Sequence, residues 1–297
     1  MTGVSILIHT KNEQHDLSGC LRSVSWSDDI HVLDSGSTDE TVAIALKAGA
    51  KVTERTYGES NLSFGGDEAA HRNWGLQNIA FKHSWVFVVD ADERMTVELV
   101  QKIHFAVVSP GSHAAFRVQR HDFFLGTWLK HVTPSPFNIR LFLHEKVRYE
   151  RLTNSVIVVN GSIGEIAEHF DHFPFSKGMT HWIDKHNKYS SSEAVQIIKN
   201  KKENTNFSYW SACFSNNKNE RRFHQKEFYY RVPFRPLMMF LLLYVLKRGF
   251  LDGRAGLAYA LLRSIYEYMI VLKVRELEAA APALEAELQR PAASSGG

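Results

Sequence analysis

Residues 86–95 read VFVVDADERM, and they put chemistry at the end of an apolar run. Four residues suited to a buried strand lead straight into Asp90, Asp92 and Glu93. A carboxylate is costly to bury unless a positive group meets it, so a partner for these acids is expected. Three chemistries place acids there. A phosphatase with an aspartyl nucleophile needs Asp-x-Asp-x-Thr or Val, but the last position here is Arg94 and the motif lies far from the first strand. A dinucleotide enzyme would set Asp34 on a ribose, but it also needs a glycine-rich turn after the first strand. The stretch HTKNEQHD (9–16) holds no glycine. A divalent cation is the third option. Mg²⁺ and Mn²⁺ take oxygen ligands and commonly join one or two carboxylates to substrate phosphates. Alternate residues of a strand point the same way, so Asp-x-Asp offers both acids to one ion. Such an ion neutralises charge on a departing diphosphate.

The elements that position these acids follow from the pattern of the first hundred residues. VSILIHT (4–10), IHVLDSGSTD (30–39), AKVTERT (50–56) and WVFVVDADE (85–93) read as strands. Helical spacing separates them at 16–24, 41–48, 67–82 and then 96–107. Strands alternating with helices imply a mostly parallel α/β sheet with flanking helices. Ligands bind outside the carboxyl ends of such strands. Thr10-Lys11-Asn12-Glu13, Asp34 and Asp90-Ala91-Asp92 all fall at those ends. Residues 113–173 are more β-like, 176–200 helical and polar, and 201–235 basic and aromatic.

The bulk numbers bound the rest. A chain of 297 residues, 44 % hydrophobic, can build a sizeable core. A net charge of +3 is no nucleic-acid footprint. Cys20 and Cys213 give neither metal spacing nor a disulfide framework, which suits a reducing cytoplasm. The opening MTGVSILIHT lacks the pattern of a signal peptide and reads as a first strand.

SILIHTKNE, VLDSGSTDET, AHRNWGL and VFVVDADE, in this order, resemble the inverting glycosyltransferases of family 2, with the GT-A fold. FFLGTWL (123–129), IRLFL (139–143) and KRGFLDGRAGLAYALL (247–262) extend the resemblance to the bacterial branch that builds lipopolysaccharide cores and lipid-linked envelope glycans. The resemblance implies a nucleotide-sugar donor, with UDP the default nucleotide. In that setting Thr10, Asn12 and Glu13 line the nucleoside pocket. Asp34 takes a base N–H or ribose hydroxyl, and Ser35 opens a turn with free backbone N–H groups. Helix capping is the plainer role for Asp34 and Asp39. Arg72 and Asn73 are set against the diphosphate, where a guanidinium fits phosphate oxygens. Asp90 touches ribose or supports the metal, Asp92 coordinates it, and Glu93 stands behind them or caps the next helix.

Inversion also needs a general base on the acceptor hydroxyl. Related core glycosyltransferases often carry a His-Glu pair before the strand that here reads VIVVNG, but Thr153 and Asn154 occupy that place. The base candidates are therefore Asp122 and Glu150, with Glu145 third. His172 matches a late histidine that GT-A enzymes bring to the metal. Zinc is a poor alternative for the histidines at 168–190, since no cysteine assists and the spacing is irregular. His181, Lys185 and His186 are expected on one helix face, able to hold a diphosphate, with a solvated face as the bland reading. Arg140, between apolar neighbours, needs an anion, either an acceptor phosphate or a structural carboxylate.

The apolar runs 237–246 and 257–272 are each too short or too interrupted to span a bilayer, which takes roughly 20 residues. They fit amphipathic helices in a membrane interface, with Lys247, Arg248 and Arg254 near phosphates. Buried core helices or a dimer interface are the alternative. The expected organisation is a GT-A domain over 1–200, a membrane-association module over 201–275, and a disordered or appended tail over 276–297. The expected activity is metal-dependent transfer of a sugar to a hydroxyl of a lipid-linked glycan or lipopolysaccharide core, at the cytoplasmic face of the bacterial inner membrane. A polyprenyl-phosphate acceptor, which needs little base help, and a non-catalytic nucleotide-sugar-binding module are the rival readings.

Overall fold

The computed structural model describes the backbone of residues 3–57, 66–150, 155–202, 208–215 and 234–288, with isolated positions between 221 and 232. It divides into two compact units, Met1–Lys130 with Pro134–Lys177, and His131–Thr133 with Gly178–Gly297.

The first unit is built on one large sheet. Its parallel half holds β1 (Val4–Thr10), β2 (Ile30–Asp34), β3 (Lys51–Glu54) and β4 (Trp85–Asp90). The remaining strands are β5 (Glu93–Met95), β6 (His113–Phe124), β7 (Thr127–Trp128), β8 (Phe137–Leu143) and β11 (Ser162–His172). The order is β3-β2-β1-β4-β8-β6-β11-β5, with β7 on β6. A separate hairpin pairs β9 (Val147–Glu150) with β10 (Val156–Val159). Because β8 is antiparallel to both β4 and β6, and β11 runs parallel to β6, the carboxyl ends of β1, β2, β4, β6 and β11 share one rim. This is the GT-A arrangement expected from the sequence.

Helices cover both faces, so β1 is buried at every position instead of alternating. Ile6, Ile8, Phe87 and Val89 pack on one side with α1 (Leu17–Val24) and α4 (Val97–Val108). Leu7, Leu33, Val86 and Val88 pack on the other with α3 (Glu68–Asn78). Helix α2 (Thr41–Lys47) follows β2. Gly75 of α3 lies against Leu33, and an added Cβ there would come within 2.7 Å of that side chain.

The second unit is helical: α5 (Gly178–Lys202), α6 (Tyr209–Phe214), α7 (Arg235–Phe240) and α8 (Gly253–Leu288). Helix α5 belongs here, so the break falls after Lys177. Ala194 and Ile197 of α5 pack on Tyr266, Ile270 and Val274 of α8. Arg235 and Glu267 form a buried ion pair at 2.6 Å. Asp252 accepts the backbone N–H groups of His131 and Val132 at 2.9 and 2.8 Å.

Two expectations change here. The second apolar run lies within a continuous helical stretch, Gly249–Ala280, which is long and apolar enough to cross a membrane by length and composition. Arg263 and Glu267 interrupt the apolar pattern without interrupting the backbone, since charged residues are good helix formers. The tail is also helical through Leu288, as its Ala, Leu and Glu content favours.

Candidate active site

The rim is assembled by loops that lock onto one another. At the end of β2, Asp34 is fully buried. Thr10 and Ser37 hydroxyls donate to its Oδ1 at 2.7 and 2.6 Å, and the Ser37 N–H donates to Oδ2 at 2.7 Å. Its carboxylate therefore closes the turn after β2 and ties it to β1. Asn12 adopts a left-handed conformation (φ 55°), one that Asn tolerates better than most residues. Its Oδ1 accepts the Thr38 N–H at 2.8 Å, and its own N–H reaches Ser37 Oγ at 2.8 Å. The Glu13 N–H donates to Thr41 Oγ1 at 2.7 Å. Asp39 accepts the Thr41 N–H at 3.0 Å, the plainer capping role. Ser35 Oγ is buried with no hydrogen-bond partner among the described residues.

The acids that close β4 meet their cations underneath. The β4–β8 ladder ends at Phe87↔Leu141, and Arg140 of β8 lies just above it. Arg140 contacts Asp90 at 3.1 Å and makes a shorter ion pair with Glu93. Arg72 of α3 reaches Asp90 at 3.5 Å and Glu68 at 2.8 Å, with its guanidinium over the Tyr149 ring. Burial alone would raise the Asp90 pKa. Arg140 and Arg72 overcome that and hold it below the usual carboxylate range. Burial also works against charge on Arg140, and Glu93 and Asp90 outweigh it and push its pKa up. The Glu93 carboxylate also accepts the Asp90 N–H at 2.9 Å, which shapes the turn through Ala91. The anion that Arg140 requires is thus a pair of structural carboxylates, not an acceptor phosphate.

Two further expectations are corrected in the same way. Asn73 has a structural partner. Its amide pairs with both backbone groups of Tyr149, at 2.7 and 2.8 Å, and so fastens β9 to α3. Arg72 is committed to Glu68 and Asp90 instead of pointing at an open phosphate position.

Asp92 differs from Asp90 in its partner. The two side chains are similarly exposed, at 32 % and 35 %, but Asp92 Oδ2 meets His172 Nε2 at 3.4 Å where Asp90 meets two arginines. Asp92 and His172 meet because Glu93 opens β5 opposite His172 on β11. The other ring nitrogen, Nδ1, lies 2.6 Å from Asp122 Oδ1. Asp122 sits on β6 directly across from His172 and is only 10 % exposed. Arg120 also grips it, at 2.8 and 3.1 Å. Burial opposes charge on His172, but the Asp122 hydrogen bond and then Asp92 overcome it and raise its pKa to about 9. Burial would raise Asp122, and His172 and Arg120 bring it below the usual range instead.

This donor set would suit a divalent cation that displaces the proton from His172 Nε2. One carboxylate oxygen and one imidazole nitrogen stand 3.4 Å apart at an open rim. Adjacent ligands on an octahedral ion of this size are about 3.0 Å apart. A histidine ligand whose other nitrogen is held by a carboxylate is the usual way such a ring is oriented.

The remaining carboxylates fall elsewhere. Glu145 lies in the turn after β8, whose Leu143 pairs with Trp85 at the start of β4, so it stands at the end opposite the rim. Glu150 is exposed at the end of β9 and pairs with Arg148 at 2.8 Å. Thr153 and Asn154 lie outside the described residues. On α5, His186 stacks on Trp182 with ring centroids 3.7 Å apart and meets Tyr266 edge-on. It therefore belongs to the packed side of its helix, while His181 and Lys185 are exposed, so the expected common face is not formed.

Lys177 was missed by sequence reasoning. Its ammonium donates to Glu13 at 2.8 Å and to the Asn12 carbonyl at 3.0 Å. Burial raises the Glu13 pKa to about 7 despite this lysine. The loop that carries Lys177 is tied down by the Phe173 N–H on the Asp92 carbonyl and by Ser176 on Asp16. Nothing in FPFSKG marks a rim cation; only its fold back over β1 and β4 does.

The glycosyl transferase family 2 model matches residues 5–162. The lipopolysaccharide core biosynthesis glycosyltransferase LpsC of Rhizobium meliloti is 25 % identical over 289 residues, covering 93 % of each chain. An uncharacterised glycosyltransferase of Rickettsia typhi is 24 % identical over 295 residues, 93 % of this chain and 88 % of that one. Among solved structures, glucosyl-3-phosphoglycerate synthase from Mycobacterium tuberculosis, in complex with Mn²⁺, UDP and glucosyl-3-phosphoglycerate, aligns with a TM-score of 0.30. That alignment is 21 % identical and covers 42 % of this chain and 45 % of the other. With the family model spanning more than half its length, from β1 to the start of β11, this chain belongs to the family 2 glycosyltransferases.

Proposed function

We propose that the protein transfers a sugar, with inversion, from a UDP-sugar or related nucleotide-sugar to a hydroxyl of a lipid-linked glycan or lipopolysaccharide-core acceptor. The observation that carries this reading is the Asp92–His172–Asp122 chain at the open rim. Asp92 and His172 would hold Mg²⁺ or Mn²⁺, which supplies charge neutralisation at the departing diphosphate. Asp122 positions His172 by keeping Nδ1 occupied and Nε2 turned to Asp92. Since Arg120 and His172 both hold Asp122, it is a poor acceptor for a substrate proton. Of the three carboxylates weighed as base, Glu145 stands at the end opposite the rim, and Glu150 remains, exposed beside Arg148. Lys177, and Lys11 on the Ser35 and Gly36 carbonyls at 2.9 Å, supply positive charge at the rim for a diphosphate. Arg72 and Arg140 act from below by keeping Asp90 ionised and fixed for a ribose.

The double engagement of Asp122 also favours a second reading, a polyprenyl-phosphate acceptor whose oxygen is already anionic. Mass analysis of the product separates the two.

The second unit supports action at a membrane surface. Leu257, Leu261, Ile265, Tyr268 and Leu272 form an exposed apolar stripe on α8, at helical spacing. Leu241, Leu242, Val245 and Leu246 are exposed after α7, next to Lys247 and Arg248. We read these as insertion into an interface, with basic residues at lipid phosphates, on the cytoplasmic leaflet. A donor screen tests the catalytic reading: nucleotide-sugar hydrolysis or transfer should require Mn²⁺ or Mg²⁺ and should be lost in Asp92→Asn. Metal-independent turnover that survives Asp92→Asn would overturn it.

A further inference from the structure

Behind Asp122 and His172, on the opposite face of the same two strands, lies a second group of metal-ligating side chains. Neighbouring residues of a strand point to opposite faces. The register that sets Asp122 against His172 therefore also sets His121 against Asp171 on the other face. A register shift between Ile166 and His169 ends just there and brings His169 beside them. One ligand atom from each of His121, His169 and Asp171 lies within 4.8 Å of the other two.

Two features distinguish this cluster from a chance meeting of polar side chains. His121 is 7 % exposed, and its Nε2 is buried with no hydrogen-bond partner among the described residues. Asp171 Oδ1 is likewise buried and lacks a hydrogen bond, with His169 Nε2 at 3.6 Å. A buried imidazole nitrogen and a buried carboxylate oxygen thus lack, among the described residues, the hydrogen bond that native interiors supply. One cation would satisfy both.

We infer that His121, His169 and Asp171 form a second cation site, distinct from the rim, for a transition metal of Zn²⁺ or Co²⁺ type. Two imidazoles and one carboxylate suit such an ion better than Mg²⁺ or Ca²⁺, which prefer all-oxygen sets. The sequence hides the site because its ligands sit on two strands, and the separation of His121 from His169 in the chain follows no metal-binding spacing. The rings are at present stacked. His121 lies between Trp128 at 3.7 Å and His169 at 3.8 Å, nearly parallel to both. Parallel rings do not aim their lone pairs at one point, so binding asks one ring to turn. His169 can do so: its side chain is 32 % exposed, and ion-pair contacts to Asp171 at 3.6 Å and Glu168 at 3.9 Å are its polar restraints. Trp128 keeps His121 in place. An ion here joins β6 to β11 one residue behind Asp122 and His172, and so stiffens the strand pair that positions them.

The test uses the full chain, stripped of metal, with Asp92→Asn to weaken the rim site. Equilibrium dialysis should find one zinc per chain at about 10 µM free metal. Co²⁺ should give a visible d–d spectrum of a nitrogen-and-oxygen site. Adding His169→Ala, which changes an exposed ring, should remove that equivalent and the spectrum. Asp171→Asn should weaken binding at least tenfold. Zinc should raise the unfolding temperature of the Asp92→Asn chain but not of Asp92→Asn/His169→Ala. The inference is overturned if Asp92→Asn binds no zinc, or if His169→Ala and Asp171→Asn both leave stoichiometry and spectrum unchanged. None of these readouts depends on sugar transfer, so failure here leaves the rim assignment standing.

Discussion

Replacing Asp122 with Asn separates the two roles that a buried carboxylate can have at this rim. The side chain accepts a 2.6 Å hydrogen bond from His172 Nδ1 and an ion pair from Arg120 at 2.8 Å. Asn keeps the shape and one acceptor oxygen but loses the charge that orients the ring. Carboxylates that back a metal-bound histidine are typically worth 10–100-fold in metal affinity, about 1.4–2.7 kcal/mol. Sugar-transfer rates measured across a Mn²⁺ titration should show half-saturation moving up by that factor. The rate at saturating Mn²⁺ should recover to within a few-fold of wild type. A general base behaves otherwise: its loss lowers kcat about 10²–10⁴-fold at every metal concentration. Unchanged Mn²⁺ half-saturation with a collapsed kcat would refute the positioning role and restore Asp122 as base.

The other expectations probe the support beneath the site and the second unit. Arg140→Met removes the cation between Asp90 and Glu93, leaving the buried Glu93 without its ion-pair partner and Asp90 with Arg72 alone. Urea unfolding should show a loss of about 3–5 kcal/mol, whereas an acceptor-phosphate role would change KM with little effect on stability. Asp29 is buried and accepts from Ser5 Oγ at 2.6 Å, the Lys82 N–H at 2.8 Å and Lys51 at 2.7 Å. Burial would raise its pKa, but Lys51, Ser5 and the Lys82 N–H hold it below the usual range. Its contribution is therefore full above the unfolded value of about 3.9 and is lost as pH falls through the lower folded value. Asp29→Asn should cost about 2 kcal/mol at pH 7, and should flatten the acid side of the stability curve; an unchanged acid limb would contradict this. Ile265→Glu, on the exposed stripe of α8, should weaken sedimentation with anionic vesicles at least several-fold without altering the folded content by circular dichroism. Equal vesicle binding would remove the membrane reading of that face.

How much of this was legible in the sequence depends on how local each cause is. The strands of the parallel half announce themselves, because double burial demands continuous apolar runs and the acids at their ends break them. Asp90 and Asp92 could be singled out for the same reason. Their different surroundings could not, since Asp90 meets Arg140, 50 residues away in sequence, while Asp92 meets His172 on another strand. Arg72, Asn73 and Arg140 read as ligand-binding groups because an unpaired cation or amide invites a substrate. Their partners, Glu68, Asp90, Glu93 and the Tyr149 backbone, arrive mostly by tertiary folding. The Asp122–His172 pair depends on a parallel register between β6 and β11, which periodicity does not encode. His181 and His186 are five residues apart, and a turn of 3.6 residues sets His186 with Trp182 instead.

The central claim, that Asp92 and His172 hold a cation which secures the nucleotide, is tested most directly by calorimetric titration of UDP into the wild-type and Asp92→Asn chains, with and without Mn²⁺. Wild type should bind UDP markedly more tightly when Mn²⁺ is present, and the Asp92→Asn chain should lose that difference while keeping its fold. Equal UDP affinity in all four titrations would contradict the assignment.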